Sequence, residues 1–348
     1  MKKIVIIGAG AMGTAFAFPC ADNNHDTYLI GTHLENEFID NINSNNNFHP
    51  SLKVEIDKKI KIQKFDTLKQ ILDGKVDLIV LAISSKGIDW AGRQLLDCYK
   101  GKKIPNILLL TKGLSIYKNN YELLVNKLLR SLSFEKKNEV NISALGGPSL
   151  ASGLANKTHT SVIVANENIK VAKEISKILS NNYYHVSFSN DVIGVEVSAA
   201  IKNIFSMAIG AAKGICKNNA DKRIREENYL NTASALVNQS IYEMKILVKY
   251  LKGKESTVDG LAGLGDLYVS SAGGRNSKMG FYIGEGFSFS EAKEKKMKNI
   301  TVEAADLAFE IGDKIKKDFK LKDLPLMIRM IEAITKDEPL KIEWDLFN

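Results

Sequence analysis

The sequence predicts an α/β protein with an N-terminal doubly wound sheet and an all-helical C-terminal domain. Short β-branched apolar runs alternate with helical patterns up to about residue 190, as in a mainly parallel sheet covered by helices. A glycine-rich turn follows the first run, and beyond residue 190 only helical periodicity remains. The length of 348 residues suits two domains, which we place at 1–190 and 191–348.

Six apolar runs predict the buried strands of the sheet. In chain order they cover residues 4–7, 28–30, 76–83, 106–110, 141–145 and 161–164. Between the first two runs, residues 14–20 predict a helix that Pro19 should bend or end unless it sits in a tolerated kink. The Asn-rich residues 41–47 predict an exposed connection, because polar low-complexity sequence is typical of segments outside the core.

The C-terminal half begins with a long apolar pattern. Residues 191–215 contain small and apolar side chains without turn residues, so they predict one long buried helix. Glu196 and Lys202 lie near its middle and argue against a membrane span. We therefore expect a protein that does not insert into the membrane and works in the cytoplasm.

Composition and charge narrow the function further. Hydrophobic residues make up 45% and charged residues 25%, which excludes a mainly disordered chain. The net charge of +8 suits an anionic ligand, but the basic residues are dispersed, which argues against nucleic acid. Cys20, Cys98 and Cys216 form no paired motif and the five histidines have no metal-ligand spacing, so we expect neither disulfides nor a metal.

Residues 8–13 read Gly-Ala-Gly-Ala-Met-Gly and directly follow the first predicted strand. This context fits the dinucleotide-binding turn of a Rossmann-type sheet. Gly8 would form the tight turn, Gly10 would let the backbone approach a pyrophosphate, and Gly13 would let helix and strand pack closely. The helix N-terminus would offer amide donors to the phosphates.

In such folds, the side chain at the end of the second strand sets the preference for NAD or NADP. An acid about 20 residues after the turn holds the ribose hydroxyls, whereas an Arg serves a 2′-phosphate. Here the chain reads Gly31-Thr32-His33-Leu34-Glu35, with neither an acid at the strand end nor an Arg. Thr32 and His33 could contact either cofactor, and the missing carboxylate favours NADP over NAD.

Two turns after predicted strands and one helix carry further candidates. Lys112 follows a strand, so it could orient an anionic or carbonyl substrate or be an ordinary exposed lysine. Gly146–Ser149 either positions a hydroxyl donor or is a simple turn. Lys202 is either a desolvated general acid for carbonyl reduction or a lysine whose stem lies along the surface, and the neighbouring Ser198 and Asn203 favour the first reading.

A glycine-rich segment covers residues 260–276 and contains four chemically useful side chains. Asp266 could pair with a lysine, Ser270 follows, and Arg275 with Asn276 could bind a phosphate through a planar fork and an amide. A flexible surface loop would explain the glycines but not this cluster.

With these segments assembled, the chain resembles the NAD(P)-dependent sn-glycerol-3-phosphate dehydrogenase family almost from end to end. The segments that carry the resemblance occur in the family's order: GAGAMGTAF, LLLTKG, GGPSLA, AAIKNIFSMAIGAAKGI, GLAGLGDL and GGRN. The resemblance implies a dinucleotide-binding first domain and a substrate-binding helical second domain.

The resemblance also implies roles for individual residues. The catalytic set is Lys202 as proton donor, with Lys112 and Asp266. The substrate-binding set is Lys112, Gly147, Ser149, Asn203, Ser270, Arg275 and Asn276. The cofactor-binding set for NAD(P)H is Gly8, Gly10, Ala11, Met12, Gly13, Thr32, His33, Lys112, Ala151, Arg275 and Glu303.

The implied activity is reversible NAD(P)H-dependent reduction of dihydroxyacetone phosphate to sn-glycerol 3-phosphate, which supplies phospholipid synthesis, in a cytoplasmic homodimer with a small phosphorylated substrate. A related two-domain dehydrogenase for ketopantoate or an opine-type substrate is the alternative. A non-catalytic NAD(P)-binding sensor is a third reading, against which the set of Lys112, Lys202 and Asp266 argues.

Overall fold

The computed structural model describes residues 1–132, 140–219 and 228–347. The chain forms two compact units. The first comprises Met1–Lys112 and Leu124–Val192, and the second comprises Gly113–Leu123 and Ile193–Asn348. The sequence analysis placed residues 113–123 in the first domain, which the structure corrects. They form a hairpin whose Leu114 joins the apolar core of the second unit.

The strands are β1 (Lys3–Ile7), β2 (Asp26–Ile30), β3 (Phe48–His49), β4 (Val54–Glu55), β5 (Ile60–Gln63), β6 (Leu78–Leu81), β7 (Asn106–Leu109), β8 (Leu114–Tyr117), β9 (Asn120–Leu123), β10 (Ile142–Gly146), β11 (Thr160–Ala165) and β12 (Tyr184–Ser189). Eight of them build one sheet in the order β12-β11-β10-β7-β6-β1-β2-β5. Neighbours are parallel except β10 and β11, which are antiparallel.

The helices are α1 (Ala11–Asp22), α2 (Asn36–Ser44), α3 (Leu68–Asp73), α4 (Ile88–Cys98), α5 (Leu124–Ser131), α6 (Ala151–Ala155), α7 (Ile169–Leu179), α8 (Val192–Asn218), α9 (Leu230–Tyr250), α10 (Asp266–Ser271), α11 (Arg275–Gly284), α12 (Phe289–Lys295), α13 (Glu303–Asp318) and α14 (Pro325–Thr335). A π-helical turn, Leu261–Gly265, leads into α10. The predicted Rossmann-type sheet and the helical C-terminal half are both confirmed.

The six predicted strands correspond to β1, β2, β6, β7, β10 and β11. The patterns missed the two edge strands, β5 and β12. In β12 buried and exposed residues alternate along most of the strand, so it lacks the continuous apolar run that marks a central parallel strand. Both edge strands form by backbone pairing with a neighbouring strand, β12 with β11 and β5 with β2.

The structure corrects one local prediction in part and, at Pro19, shows the tolerated position that the sequence analysis left open. Residues 41–47 are mostly exposed, as predicted, but the first four belong to a helix and not to a connection, because α2 runs to Ser44 and buries Ile39 and Ile42 completely. Pro19 does not end α1, which continues to Asp22 with Pro19 inside it. Its ring lies on a buried side of the helix, where packing holds the backbone despite the lost donor.

In the second unit, α8 and α11 approach so closely that no side chain fits between their backbones. A Cβ atom at Gly280 would lie 1.8 Å from the Met207 carbonyl oxygen, and one at Gly210 would lie 2.2 Å from that of Ser277. Glycines 214 and 284 are equally confined. Because α8 carries Lys202 and α11 begins at Arg275, this crossing sets the distance between the two.

By length and composition alone, the helix α8 is long and apolar enough to cross a membrane. In the structure 94% of its apolar window is buried inside the protein. Core packing therefore accounts for its hydrophobicity.

Candidate functional site

The glycine-rich turn connects β1 to α1 in the first unit. Gly8 has φ of +109°, and a Cβ atom there would lie 2.4 Å from the carbonyl oxygen of Ala82. A Cβ at Gly13 would lie 2.0 Å from the Gly8 carbonyl oxygen. These positions require glycine for the turn and for helix packing, as the spacing predicted.

Gly10 differs, because a Cβ atom there would meet open space. The nearest atom to a Cβ at Gly10 would be the Oε1 of Glu35, at 3.9 Å. Gly10 precedes α1, whose first residues are Ala11 and Met12 and whose first turn contains no acidic side chain. The open backbone and the free N-terminal amide groups of α1 fit a dinucleotide pyrophosphate.

The turn after β2 holds the predicted Thr32 and His33. The Thr32 N–H donates to Glu35 Oε2 at 2.7 Å, and the same oxygen accepts the Ala9 N–H at 3.2 Å. The His33 ring packs on Trp90, with ring centroids 4.8 Å apart. The sequence analysis found no acid at the strand end itself. Glu35 lies five residues past β2, and its side chain folds back to the glycine-rich turn.

Three predicted residues meet beyond β7 and β10 in the first unit. The Lys112 ammonium donates to the carbonyl oxygen of Gly147 at 3.2 Å, and Gly147 has φ of +113°. The Ser149 Oγ is shielded from solvent and has no hydrogen-bond partner among the described residues. A buried hydroxyl without a hydrogen-bond partner destabilises the fold unless a ligand forms a hydrogen bond with it. This turn is therefore a candidate binding segment. Ala151 begins the short helix α6 just after it.

Lys202, Asp266 and Ser270 form a buried polar cluster in the second unit. The Lys202 Nζ lies 2.9 Å from Asp266 Oδ1, and the two residues are only 6% and 3% exposed. Lys202 also donates to the Ser270 Oγ. The π-helical turn before α10 points Asp266 toward α8, and pairing with this carboxylate stabilises a charge that burial alone would disfavour.

The predicted phosphate-binding pair lies at the start of α11. The Asn276 Nδ2 donates to Asn203 Oδ1 at 3.0 Å, and its Oδ1 accepts the Ala304 N–H at 3.0 Å. Arg275 forms an ion pair with Glu303, at the first residue of α13. Arg275, Asn276, Asn203 and Glu303 are therefore brought together as one polar group within the second unit.

Sequence reasoning missed one residue and undervalued another. Glu35 is found only through its contacts, since its distance from the strand end hides it. The Ser198 Oγ is completely buried, one helical turn before Lys202, and has no hydrogen-bond partner among the described residues. Within residues 1–132, 140–219 and 228–347, no three His, Cys, Asp or Glu side chains group as a metal site.

A Rossmann-type unit with a dinucleotide-binding turn and a helical unit with a buried lysine–carboxylate pair define a class, the two-domain NAD(P)-dependent oxidoreductases. Models of one family within this class match both halves of the chain. The NAD-dependent glycerol-3-phosphate dehydrogenase N-terminal model matches residues 3–172 and the C-terminal model matches residues 191–343. The chain belongs to the NAD-dependent glycerol-3-phosphate dehydrogenase family.

Individual relatives agree with this assignment. The chain is 31% identical over 330 residues to a glycerol-3-phosphate dehydrogenase [NAD(P)+] of Clostridium botulinum, covering 93% of this chain and 92% of the relative. It is 29% identical to an NADP(+)-dependent glycerol-3-phosphate dehydrogenase of Archaeoglobus fulgidus, with 92% of each covered. The crystal structure of glycerol-3-phosphate dehydrogenase from Coxiella burnetii superposes with a TM-score of 0.79 at 26% identity, covering 97% and 96% of the chains.

The alternative dehydrogenases are more distant in structure. A ketopantoate reductase from Ralstonia eutropha reaches a TM-score of 0.54 at 14% identity, over 96% of this chain and 99% of the other. At that identity the likeness shows a shared fold alone.

Proposed function

We propose that this protein reduces dihydroxyacetone phosphate to sn-glycerol 3-phosphate with NAD(P)H, reversibly, and that Lys202 is the general acid. The observation that carries the proposal is the buried group of Lys202, Asp266 and Ser270. Lys202 lies on α8, which packs against the helix that begins with Arg275, and the other two lie on α10. A ketone reductase needs a proton donor kept from bulk water, and a buried ammonium meets this need.

The proposed chemistry follows from what each side chain can do. A reduced nicotinamide bound to this protein would supply a hydride to the carbonyl carbon. The Lys202 ammonium donates a proton to the carbonyl oxygen as that oxygen gains negative charge, and Asp266 holds the ammonium in place. Ser270 accepts another N–H of the same ammonium, so two side chains orient the lysine.

The phosphate of the substrate is assigned to the polar group at the start of α11. The Arg275 guanidinium offers a planar fork that matches a phosphate, and its partner Glu303 is a carboxylate that a phosphate dianion could replace. Asn203 and Asn276 lie beside it as amide donors. In the first unit, Lys112, Gly147 and Ser149 are proposed as further substrate contacts, with the orphaned Ser149 hydroxyl as support.

Most of the proposed cofactor contacts, including those to the pyrophosphate, lie in the first unit. The backbone of Gly8, Gly10, Ala11, Met12 and Gly13 would hold the pyrophosphate at the N-terminus of α1. The remaining proposed contacts are Thr32, His33, Lys112 and Ala151 in this unit and Arg275 and Glu303 in the second. The open space at Gly10 supports this assignment.

The deciding experiment follows cofactor oxidation by the purified protein with dihydroxyacetone phosphate, using NADH and NADPH in parallel. We expect oxidation that depends on the ketone and a fall of about 10²-fold or more in kcat for Lys202→Arg, since Arg keeps the positive charge but does not release its proton. Lys213→Arg on the exposed side of α8 is the matched control and should keep normal turnover. Normal turnover by Lys202→Arg would refute the assigned role, and oxidation with ketopantoate instead would favour the alternative.

We propose in addition that the protein is a cytoplasmic homodimer whose product supplies phospholipid synthesis. Sedimentation equilibrium of the purified chain tests the first point, because a monomer mass would refute the dimer. Loss of phospholipid labelling from dihydroxyacetone phosphate in cells depleted of this protein would support the second.

A further inference from the structure

The Glu35 carboxylate is fixed by the backbone of two turns in the first unit. Its Oε2 accepts the N–H of Ala9, in the turn after β1, and the N–H of Thr32, in the turn after β2. The Glu35 N–H in turn donates to the Thr32 carbonyl oxygen at 2.9 Å. Two hydrogen bonds therefore hold the Glu35 side chain across the carboxyl ends of the two strands, and a third fixes its backbone.

The other carboxylate oxygen remains available. No hydrogen-bond partner of Oε1 is found among the described residues, and Glu35 is partly exposed. Oε1 would lie 3.9 Å from a Cβ at Gly10, so the missing side chain of Gly10 leaves room beside it. An ionised carboxylate is an acceptor only, which means that this oxygen can take hydroxyl donors.

Three aromatic rings lie at the same edge of the sheet. His33 follows β2, Phe65 follows β5, and Trp90 lies in α4 after β6. The His33 and Trp90 centroids are 4.8 Å apart and those of Phe65 and Trp90 are 5.4 Å apart. All three are at least partly exposed, so they offer a ring surface on which a flat heterocycle can stack.

We propose that Glu35 is the residue that selects the cofactor, by accepting the adenosine ribose hydroxyls on Oε1 while the rings of His33, Phe65 and Trp90 receive the adenine. The inference rests on the proposed use of NAD(P)H and deepens it. A 2′-phosphate at the same place would bring two negative charges to a carboxylate that its backbone bonds prevent from turning away. The protein therefore selects NAD(H) over NADP(H), the reverse of the preference expected when Glu35 was left out.

The test uses ligands that cannot react. ADP-ribose and its 2′-phosphate differ only at the ribose position in question, and calorimetric titration gives both dissociation constants without substrate. We expect the unmodified protein to bind ADP-ribose tighter than the 2′-phosphate by about tenfold or more. Glu35→Gln keeps the size of the side chain and removes its charge, and should lower this ratio by about fivefold or more.

Glu37→Gln is the matched control, since Glu37 lies exposed in the first turn of α2, which Glu35 directly precedes, and the change in charge is equal. It should leave the ratio unchanged, and thermal unfolding of each variant should confirm that it folds. A ratio below tenfold in the unmodified protein, or a ratio that Glu35→Gln does not lower more than Glu37→Gln does, overturns the assignment of Glu35.

The outcomes separate this inference from the proposed function. Selective binding of ADP-ribose without ketone-dependent oxidation would uphold Glu35 and refute the proposed reaction. Oxidation with no selectivity would uphold the reaction and refute the role of Glu35. If neither ligand binds, both fail.

Discussion

Gly280 gives a direct test of how closely α8 and α11 must approach. It lies inside α11, five residues after Arg275, and its Cα faces the backbone of α8 at Met207. Replacing it by alanine adds one methyl group and would, in an open helix, stabilise the protein by about 1 kcal/mol. Here the added Cβ would lie 1.8 Å from the Met207 carbonyl oxygen.

The size of the effect follows from that distance. Ordinary contacts of a Cβ atom begin at 3.4 Å, so the two backbones would have to separate locally by the difference, about 1.6 Å. Overpacking of this kind costs about 1–3 kcal/mol even after relaxation. Because Lys202 and Arg275 are carried by these two helices, a shift beyond 1 Å should also lower turnover by about 10²-fold.

Two measurements check this prediction: urea unfolding at equilibrium for the free energy, and kcat/KM for dihydroxyacetone phosphate. Gly153→Ala in α6 is the comparison, because a Cβ there would lie 3.9 Å from its nearest neighbour. We expect Gly280→Ala to be less stable than Gly153→Ala and nearly inactive. Equal stability with full turnover would show that the crossing is not as tight as the backbone contacts indicate.

Two further predictions concern binding and pH. Arg275→Lys should raise KM for dihydroxyacetone phosphate by about tenfold or more while changing kcat less, because a lysine lacks the planar fork that holds phosphate; steady-state kinetics at saturating cofactor would detect this, and an unchanged KM would contradict the phosphate role. Burial raises the pKa of Glu243 to about 7 from 4.5, against hydrogen bonds from Gln239 and the N–H groups of Leu326 and Met327. The folded protein thus binds this proton more tightly than the unfolded chain. The stability that the bound proton contributes is fully present below about pH 4.5, and the free energy of unfolding falls by about 3 kcal/mol as the pH rises to about 7. Urea unfolding between pH 4.5 and 8 should show this component in the unmodified protein and not in Glu243→Gln, and identical pH profiles would refute it.

The parts of the fold that were predictable are those with a one-dimensional signal. A central parallel strand is buried on both faces, so β1, β6 and β7 appear as apolar runs in the sequence. The helix α2 shows the opposite case. Its two buried residues, Ile39 and Ile42, have helical spacing, but the asparagines around them conceal an amphipathic pattern that packing alone makes stable.

The residues of the candidate site likewise divide into those with a signal in the sequence and those without one. Lys202, Asp266 and Arg275 were found because their residue types are unusual where they occur: a lysine in an apolar helix, and a carboxylate and a guanidinium in a glycine-rich segment. Glu35 was missed because it is an ordinary glutamate next to a helix start. Its importance comes from a side chain that folds back over two turns, and spacing along the chain does not record this.

By itself, the sequence determined the class of fold, the glycine-rich turn and the residues proposed for catalysis, since each depends on local periodicity or on the identity of a side chain. The tertiary structure decided the edge strands, the place of residues 113–123 in the second unit, the glycine crossing of α8 on α11 and the contact of Glu35 with the two turns. These depend on which distant atoms come within a few ångströms of each other, and only the packing of the whole unit sets those distances.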